Sequence, residues 1–274
     1  MGVSNTSDRA PVVRLEVAGA VGTIVLDRPP VNALDAQAQA ELHRVADEAA
    51  ARTDVRAVVI AGAAGVFSAG ADISEMVGMS ADAMELQAPR LQAAFAAVAA
   101  IPKPVIAAIE GYALGGGCEL ALAADCRFMS TRAVIGLTEL ELGVIPAAGG
   151  TQRLARLLGT AAAKRLIFDS RRLNAHTALA VGLVDEVVAP GRARQAAHDW
   201  AAKMAAGPAA ALAAAKAAID LGASMPLNHA LNLETRLFVD VFAGEDREIG
   251  MRAFLAGETP RFTGTTTPPP DGVR

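Results

Sequence analysis

The sequence predicts an α/β core of repeated strand–helix units, followed by a region built from helices alone. Three observations carry that prediction. Short β-branched or apolar runs recur at 21–26, 55–61, 105–109, 133–137 and 183–188. Segments with helical apolar spacing fall between them, and such alternation argues for βα units. From about residue 190 the strand signal stops, and Gly207, Gly222 and Gly244 punctuate four helical segments.

Each element has its own local reason. The first ten residues, MGVSNTSDRA, are polar and read as a disordered lead without the apolar stretch of a signal peptide. Gly2 and Thr6 match a lipidation pattern, a match short enough to arise by chance. Behind Asp35, the residues Leu34, Ala38, Leu42, Val45 and Ala49 repeat at helical spacing, with Gln37, Glu41, Arg44 and Glu48 opposite. The stretch GVFSAGADISEM at 65–76 places Asp72 and Glu75 at the N-cap and N3 spacing of a capping box. A helix over 91–101 ends at Pro102, and Pro102 and Pro104 keep Lys103 out of any helix. A helix over 151–158 stops at Gly159. The later helices are expected at 192–206, 208–221, 229–242 and 246–255. Leu227, Leu231, Phe238 and Phe242 form an apolar stripe, which suits a layer on the core or a contact between subunits. The tail from Gly264 is rich in Pro and Thr and reads as disordered.

Composition narrows the function. The chain has 274 residues, 53% hydrophobic and 20% charged, enough for a sizeable core. Its net charge of −4 gives no bulk attraction to nucleic acid or acidic lipid. No run approaches the roughly 18 uninterrupted apolar residues of a membrane span. Cys118 and Cys126, taken on one helix, stand roughly 12 Å apart, too far for a disulfide. Neither has a CxxC partner, which points to a reducing, cytoplasmic compartment. The histidines at 43, 176, 198 and 229 lack ligand spacing, so no metal is expected.

The chemistry concentrates in GYALGGGCEL, residues 111–120. A strand at 105–109 leads through Gly115, Gly116 and Gly117 into a helix carrying Glu119. A helix start offers unpaired N–H groups, and glycine lets a bound oxygen approach them. A phosphate loop does not fit. GxxxxGK[ST] is absent, and Leu120 occupies the third glycine of GxGxxG. Glu119 repels a resting phosphate but suits proton transfer beside a developing enolate. The alternative is a tight turn in which Glu119 only favours the helix dipole. The small-residue turn at 65–76 tips the balance, because two such turns can supply two backbone donors to one oxygen.

Five segments, in order and spacing, resemble the enoyl-CoA hydratase/isomerase (crotonase) family. They are VFSAGADISEM, IPKPVIAAIEGYALGGGCELALAADCRF, IGLTELELGVIPAAGGTQRLARLLG, GLVDEVV and EDREIGMRAFLAGETPRFTG. The resemblance implies a crotonase-like spiral of repeated ββα units over 11–190 and a C-terminal helical region used in oligomerisation over 191–263. It implies homotrimers, commonly paired into hexamers. The substrate is then an acyl-CoA thioester, with no cofactor beyond the coenzyme A it carries. By position, the N–H groups of Ala71 and Gly116 form the oxyanion hole, and Glu119 and Glu139 are the catalytic carboxylates. Ala69, Ala71, Asp72, Ile73 and Gly116 line the coenzyme A path. Arg28, in LDRPPVNALD, and Arg261 are candidates for its phosphates. Hydratases of the family carry both glutamates and isomerases usually keep only the second, so a trans-2-enoyl-CoA hydratase is expected.

The chain also departs from the family pattern. Thr138 stands where proline is frequent, and Ala147 where glycine is frequent. Ala147 keeps its amide but loses easy access to positive φ. GLTEL resembles a form found in methylglutaconyl-CoA hydratases, which brings a branched, carboxylated enoyl-CoA into range. Glu141 reads as a surface residue. An isomerase using Glu139 alone is the nearest alternative. RNA binding, known among the methylglutaconyl-type relatives through a lysine-rich helix, finds no support in DAQAQAELHRVADEAAART, which has no lysine.

Overall fold

The computed structural model describes residues 10–264. The lead before residue 10, with its lipidation pattern, and the tail beyond Gly264 lie outside the described residues. The elements run β1 (Val13–Ala18), β2 (Val21–Leu26), α1 (Ala36–Ala51), β3 (Ala57–Gly62), α2 (Ile73–Met76), α3 (Ala81–Ala99), β4 (Val105–Ile109), β5 (Tyr112–Leu114), α4 (Gly116–Ala123), β6 (Cys126–Ser130), β7 (Val134–Gly136), α5 (Gly150–Leu158), α6 (Thr160–Phe168), β8 (Leu173–Asn174), α7 (Ala175–Ala180), β9 (Glu186–Val188), α8 (Ala193–Ala205), α9 (Ala209–Gly222), α10 (Leu227–Phe242) and α11 (Glu245–Ala256).

The strands form two sheets. The larger has the order β1-β2-β3-β4-β6-β9, and the smaller β5-β7-β8. The β1–β2 pair is antiparallel, and the rest of the large sheet is parallel. A unit such as β4-β5-α4 lays one strand in each sheet and then a helix, and β6-β7-α5 repeats it. In the β3 unit the small-sheet strand shrinks to a single bridge, Ser68 to Ala113. Stacking these units makes the spiral. The helix starts therefore collect at one set of corners.

Burial explains the layers. β2 and β4 are buried on both faces, as parallel strands covered by helices must be. One face packs on α1, α3 and α4. The other is covered by α8, whose Ala193, Ala197, Ala201 and Ala205 meet Val59, Ile106 and Phe128. Alanine every fourth residue lets this helix lie close to the sheet, and Trp200 adds an edge-on contact with Phe128 at 6.2 Å. So the first C-terminal helix is part of the α/β core. Lys103 is buried, and its ammonium holds the carbonyls of Ala49 and Arg52 at 2.6 Å each, closing the C-terminal end of α1.

Some expectations needed correction. Cys118 and Cys126 do not share a helix. α4 ends at Ala123 and Cys126 opens β6, because the chain turns there to pair with β4. Both thiols are free. α3 begins at Ala81, ten residues before the expected start, with Ser80 capping it and Pro89 inside it. A proline in the third turn masks such a helix start from pattern reading. β1 escaped because VRLEVA alternates apolar with charged residues at a sheet edge. Asp72 caps α2 through the amides of Ser74 and Glu75, but Glu75 does not complete the box. Its carboxylate accepts instead from the amide of Ala36, at the start of α1, at 3.1 Å.

The α4 corner tolerates no side chain at Gly117, where a Cβ overlaps the carbonyl of Ser68. Gly117→Ala is expected to destabilise by about 2–3 kcal/mol, and to lower Tm by about 5–10 °C. Gly78→Ala, with nothing within 4 Å of its added Cβ, is the matched control and should leave Tm unchanged in thermal unfolding.

Candidate active site

Three consecutive corners meet at the start of α4. The Leu34 amide donates to the Gly70 carbonyl at 2.8 Å, and the Gly115 amide donates to the Gly136 carbonyl at 2.9 Å. Gly70 lies so close to the third corner that a Cβ there comes within 3.2 Å of the Gly116 nitrogen. A Cβ on Gly116 in turn comes within 3.6 Å of the Ala71 nitrogen. Gly115 makes the turn with φ of +51° and ψ of −123°, a conformation open to glycine alone. The amides of Ala71 and Gly116, far apart in sequence, are thus neighbours. Among the described residues neither donates to a protein acceptor.

Glu119 leaves the first turn of α4 and is 2% exposed. Its Oε1 accepts from the amides of Ala148 and Gly150, each at 2.8 Å. Burial pushes its carboxyl up, and the two amides and the nearby Arg153 pull it back. Glu139 sits in a short 3-10 turn after β7. Both of its carboxylate oxygens are buried with no hydrogen-bond partner. Its carboxyl is pushed up to about 7, first by burial and then by the charge of Glu119. A Cβ on Gly115 reaches Glu139 Oε1 at 3.3 Å and Thr138 Oγ1 at 3.9 Å, so both line the glycine turn. The two carboxyls interact, and both are pushed up by burial, with Glu119 drawn back by the amides of Ala148 and Gly150.

Other residues find definite places. Ala147 is absent from the non-glycine residues with positive φ, so its replacement of glycine costs nothing in backbone conformation. The amides on Glu119 come from its neighbours, Ala148 and Gly150. Of the segment expected along the coenzyme A path, Ala69 gives its N–H to the Val31 carbonyl at 2.9 Å, and Ile73 is exposed. Asp72 binds Arg28 at 2.7 Å, and Arg28 also reaches Asp35 at 3.0 Å. The guanidinium therefore ties the caps of α1 and α2 together and holds the Asp72 carboxyl low. Arg261 is exposed. Glu141 forms a two-pronged surface pair with Arg172.

Two residues of the site had escaped sequence reading. Asn32 is buried and donates to the Val66 carbonyl at 2.6 Å, while its own carbonyl accepts from Ser68 Oγ, locking the 28–32 loop under Ala71. Arg153 donates to the Ala148 carbonyl at 2.9 Å. One signal pointed to it: a cation near the N-terminus of a helix, where the dipole disfavours it.

A two-sheet spiral of ββα units with its helix starts gathered at one edge is the crotonase fold. The enoyl-CoA hydratase/isomerase family model matches residues 16–265. The chain is 44% identical over 220 residues to a probable enoyl-CoA hydratase, EchA17, of Mycobacterium tuberculosis, covering 80% of this chain and 84% of that one. It is 41% identical over 249 residues to a probable enoyl-CoA hydratase of Rhizobium meliloti, covering 90% and 96%. Among solved structures, an enoyl-CoA hydratase from Bacillus anthracis superposes with a TM-score of 0.89 at 36% identity, over 92% of this chain and 99% of that one. Pseudomonas aeruginosa DspI superposes equally well, at 0.89 and 35% identity, over 95% and 100%. This chain belongs to the enoyl-CoA hydratase/isomerase family.

Stripping Glu139 of partners has a cost that depends on pH. Its folded value of about 7 lies above the ordinary 4.5, so the folded state takes up a proton. The stabilisation this represents is complete below the ordinary value and is lost as pH rises through 7. Glu139→Gln removes the effect. The variant should unfold at higher temperature than the wild type at pH 8, by about 1–3 kcal/mol of stability, with the gap closing at pH 5. Equal gaps at both pH values in calorimetry contradict the burial assigned to Glu139.

Proposed function

We propose that the protein is an enoyl-CoA hydratase, adding water across the 2,3 double bond of a trans-2-enoyl-CoA thioester. The observation that carries this reading is the pair of glutamates in opposed surroundings. Glu119 is supplied with donors and suits a base; Glu139 is stripped of them and suits an acid. An isomerase needs only one such group. The names of the mycobacterial and rhizobial relatives support the same activity.

In this mechanism the thioester oxygen accepts from the amides of Ala71 and Gly116, which stabilise the enolate as its charge grows. Glu119 uses Oε2, which takes no hydrogen bond among the described residues, to orient a water and remove its proton. The water oxygen bonds to C3, and Glu139 delivers its proton to C2. Glu119 ends protonated and Glu139 ionised, and proton exchange through solvent resets the pair. The backbone of Ala69, Asp72 and Ile73 lines the coenzyme A path beside Ala71. Coenzyme A is part of the substrate, and no separate cofactor takes part. With both cysteines free, the enzyme works in the reducing cytoplasm.

The subunits assemble as trimers or paired trimers. Support comes from the outer face of the C-terminal helices, where Leu227 on α10 is 74% exposed, Phe238 65% and Phe254 on α11 84%. Apolar surface of this kind calls for a partner. Gel filtration with light scattering should return three or six subunits, and a monomer would contradict the assembly.

A 2-enoyl thioester should lose its conjugated absorbance on addition of the protein. A 3-enoyl thioester gains absorbance only if the enzyme is an isomerase. Glu119→Gln and Glu139→Gln should each lower kcat by about 10²–10⁴ with the fold intact. Near-normal turnover in either variant removes that residue from the mechanism. A panel of straight, branched and carboxylated enoyl-CoAs, compared by kcat/KM, separates a general hydratase from a methylglutaconyl-CoA type.

A further inference from the structure

The two amides on Glu119 come from the turn into α5: Ala148 precedes the helix and Gly150 opens it. Gln92 reaches that turn at the Ala147 carbonyl, 2.9 Å away, and Arg153 holds it at Ala148. Its guanidinium reaches back from α5 and donates to the Ala148 carbonyl at 2.9 Å, so Ala148 is gripped on both sides. The guanidinium also lies over Gly149, where any Cβ would overlap it, and Gly149 has φ of +106°. The space above that glycine is therefore filled by a cation. Arg153 is partly buried, and its charge acts on Glu119, the one charged group that favours it there. The other groups facing Glu119 are Glu139, from the turn after β7, and the buried thiol of Cys118 on its own helix. Neither supplies positive charge. Among the described residues Arg153 is the cation of this site.

We propose that Arg153 is a positioning residue for Glu119: it pins the turn that holds the carboxylate and sets a positive charge close to that turn. This rests on the hydratase reading above, and it adds a residue to the reaction without contact with substrate. A purely structural arginine would affect stability and lower kcat equally at every pH. A positioning cation moves the acid limb of the rate profile.

The test uses the full chain, trans-2-butenoyl-CoA as substrate, and two variants. Arg153→Gln removes the charge and leaves a shorter polar side chain. Arg153→Lys keeps the charge but loses the planar fork. In Arg153→Gln the acid limb of kcat should move to higher pH, with KM within about threefold. In Arg153→Lys the limb should stay at its wild-type position while kcat falls at all pH values. An unmoved limb in Arg153→Gln overturns the proposal. So does an upward shift in Arg153→Lys, which decides the matter if the glutamine variant does not fold. A wild-type chain that leaves the 2-enoyl absorbance unchanged removes the hydratase reading instead. The ionisation of Glu119 is then followed by its infrared carboxylate band, in wild type against Arg153→Gln with Glu119→Gln as the blank. An unshifted titration there also overturns the role of Arg153.

Discussion

Successive corners of the spiral touch backbone to backbone, and the site depends on that contact. Leu34 donates to Gly70, Gly115 donates to Gly136, and Gly70 rests against Leu114 and Gly116. Side chains at these points would hold the turns of the spiral apart. Without them, the amides of Ala71 and Gly116, from two different units, lie close together. Backbone donors have no side-chain rotamers to freeze. Arg28 reinforces the arrangement from outside by joining the caps of α1 and α2. Asn32 does so from within.

The two glutamates differ in their surroundings, not in their chemistry. Glu119 accepts from two amides and feels the charge of Arg153, while Glu139 is buried and feels the charge of its neighbour. The proposed division into an acid and a base rests on that asymmetry. It also runs against stability, since a buried carboxyl without partners is a defect by the ordinary rules of packing. Sites of this kind are where a folded chain accepts such defects. The rest of the molecule offsets them with a densely buried parallel sheet sealed on both faces.

The second face of that sheet is closed by α8, and the helices beyond it turn much of their apolar surface outward. The chain thus divides its apolar residues between a buried core and an exposed face on the C-terminal helices. Alanine makes the first possible. Its small side chain lets α8 approach the strands closely enough to exclude water.

Much of this was legible in the sequence, but unevenly. β2 and β4 were read to the residue, because fully buried strands are continuous apolar runs. The helix behind Asp35 and the four C-terminal helices were read to within two residues, because caps and glycines mark them locally. The small sheet was mostly missed. β5 and β8 have three and two residues, too few for a period, and their bonds come from distant segments. In the site, the glycines and Glu119 announced themselves as a turn before a helix, and Glu139 became visible only through family resemblance. By itself, then, the sequence determined which segments are strands and helices and where a backbone oxygen-binding turn could form. Only the tertiary structure decided which backbone amides are left without a protein acceptor and which glutamate receives the amides of Ala148 and Gly150. Those properties arise from burial and from hydrogen bonds such as Ala148 to Glu119, between residues 29 positions apart, which no local pattern encodes.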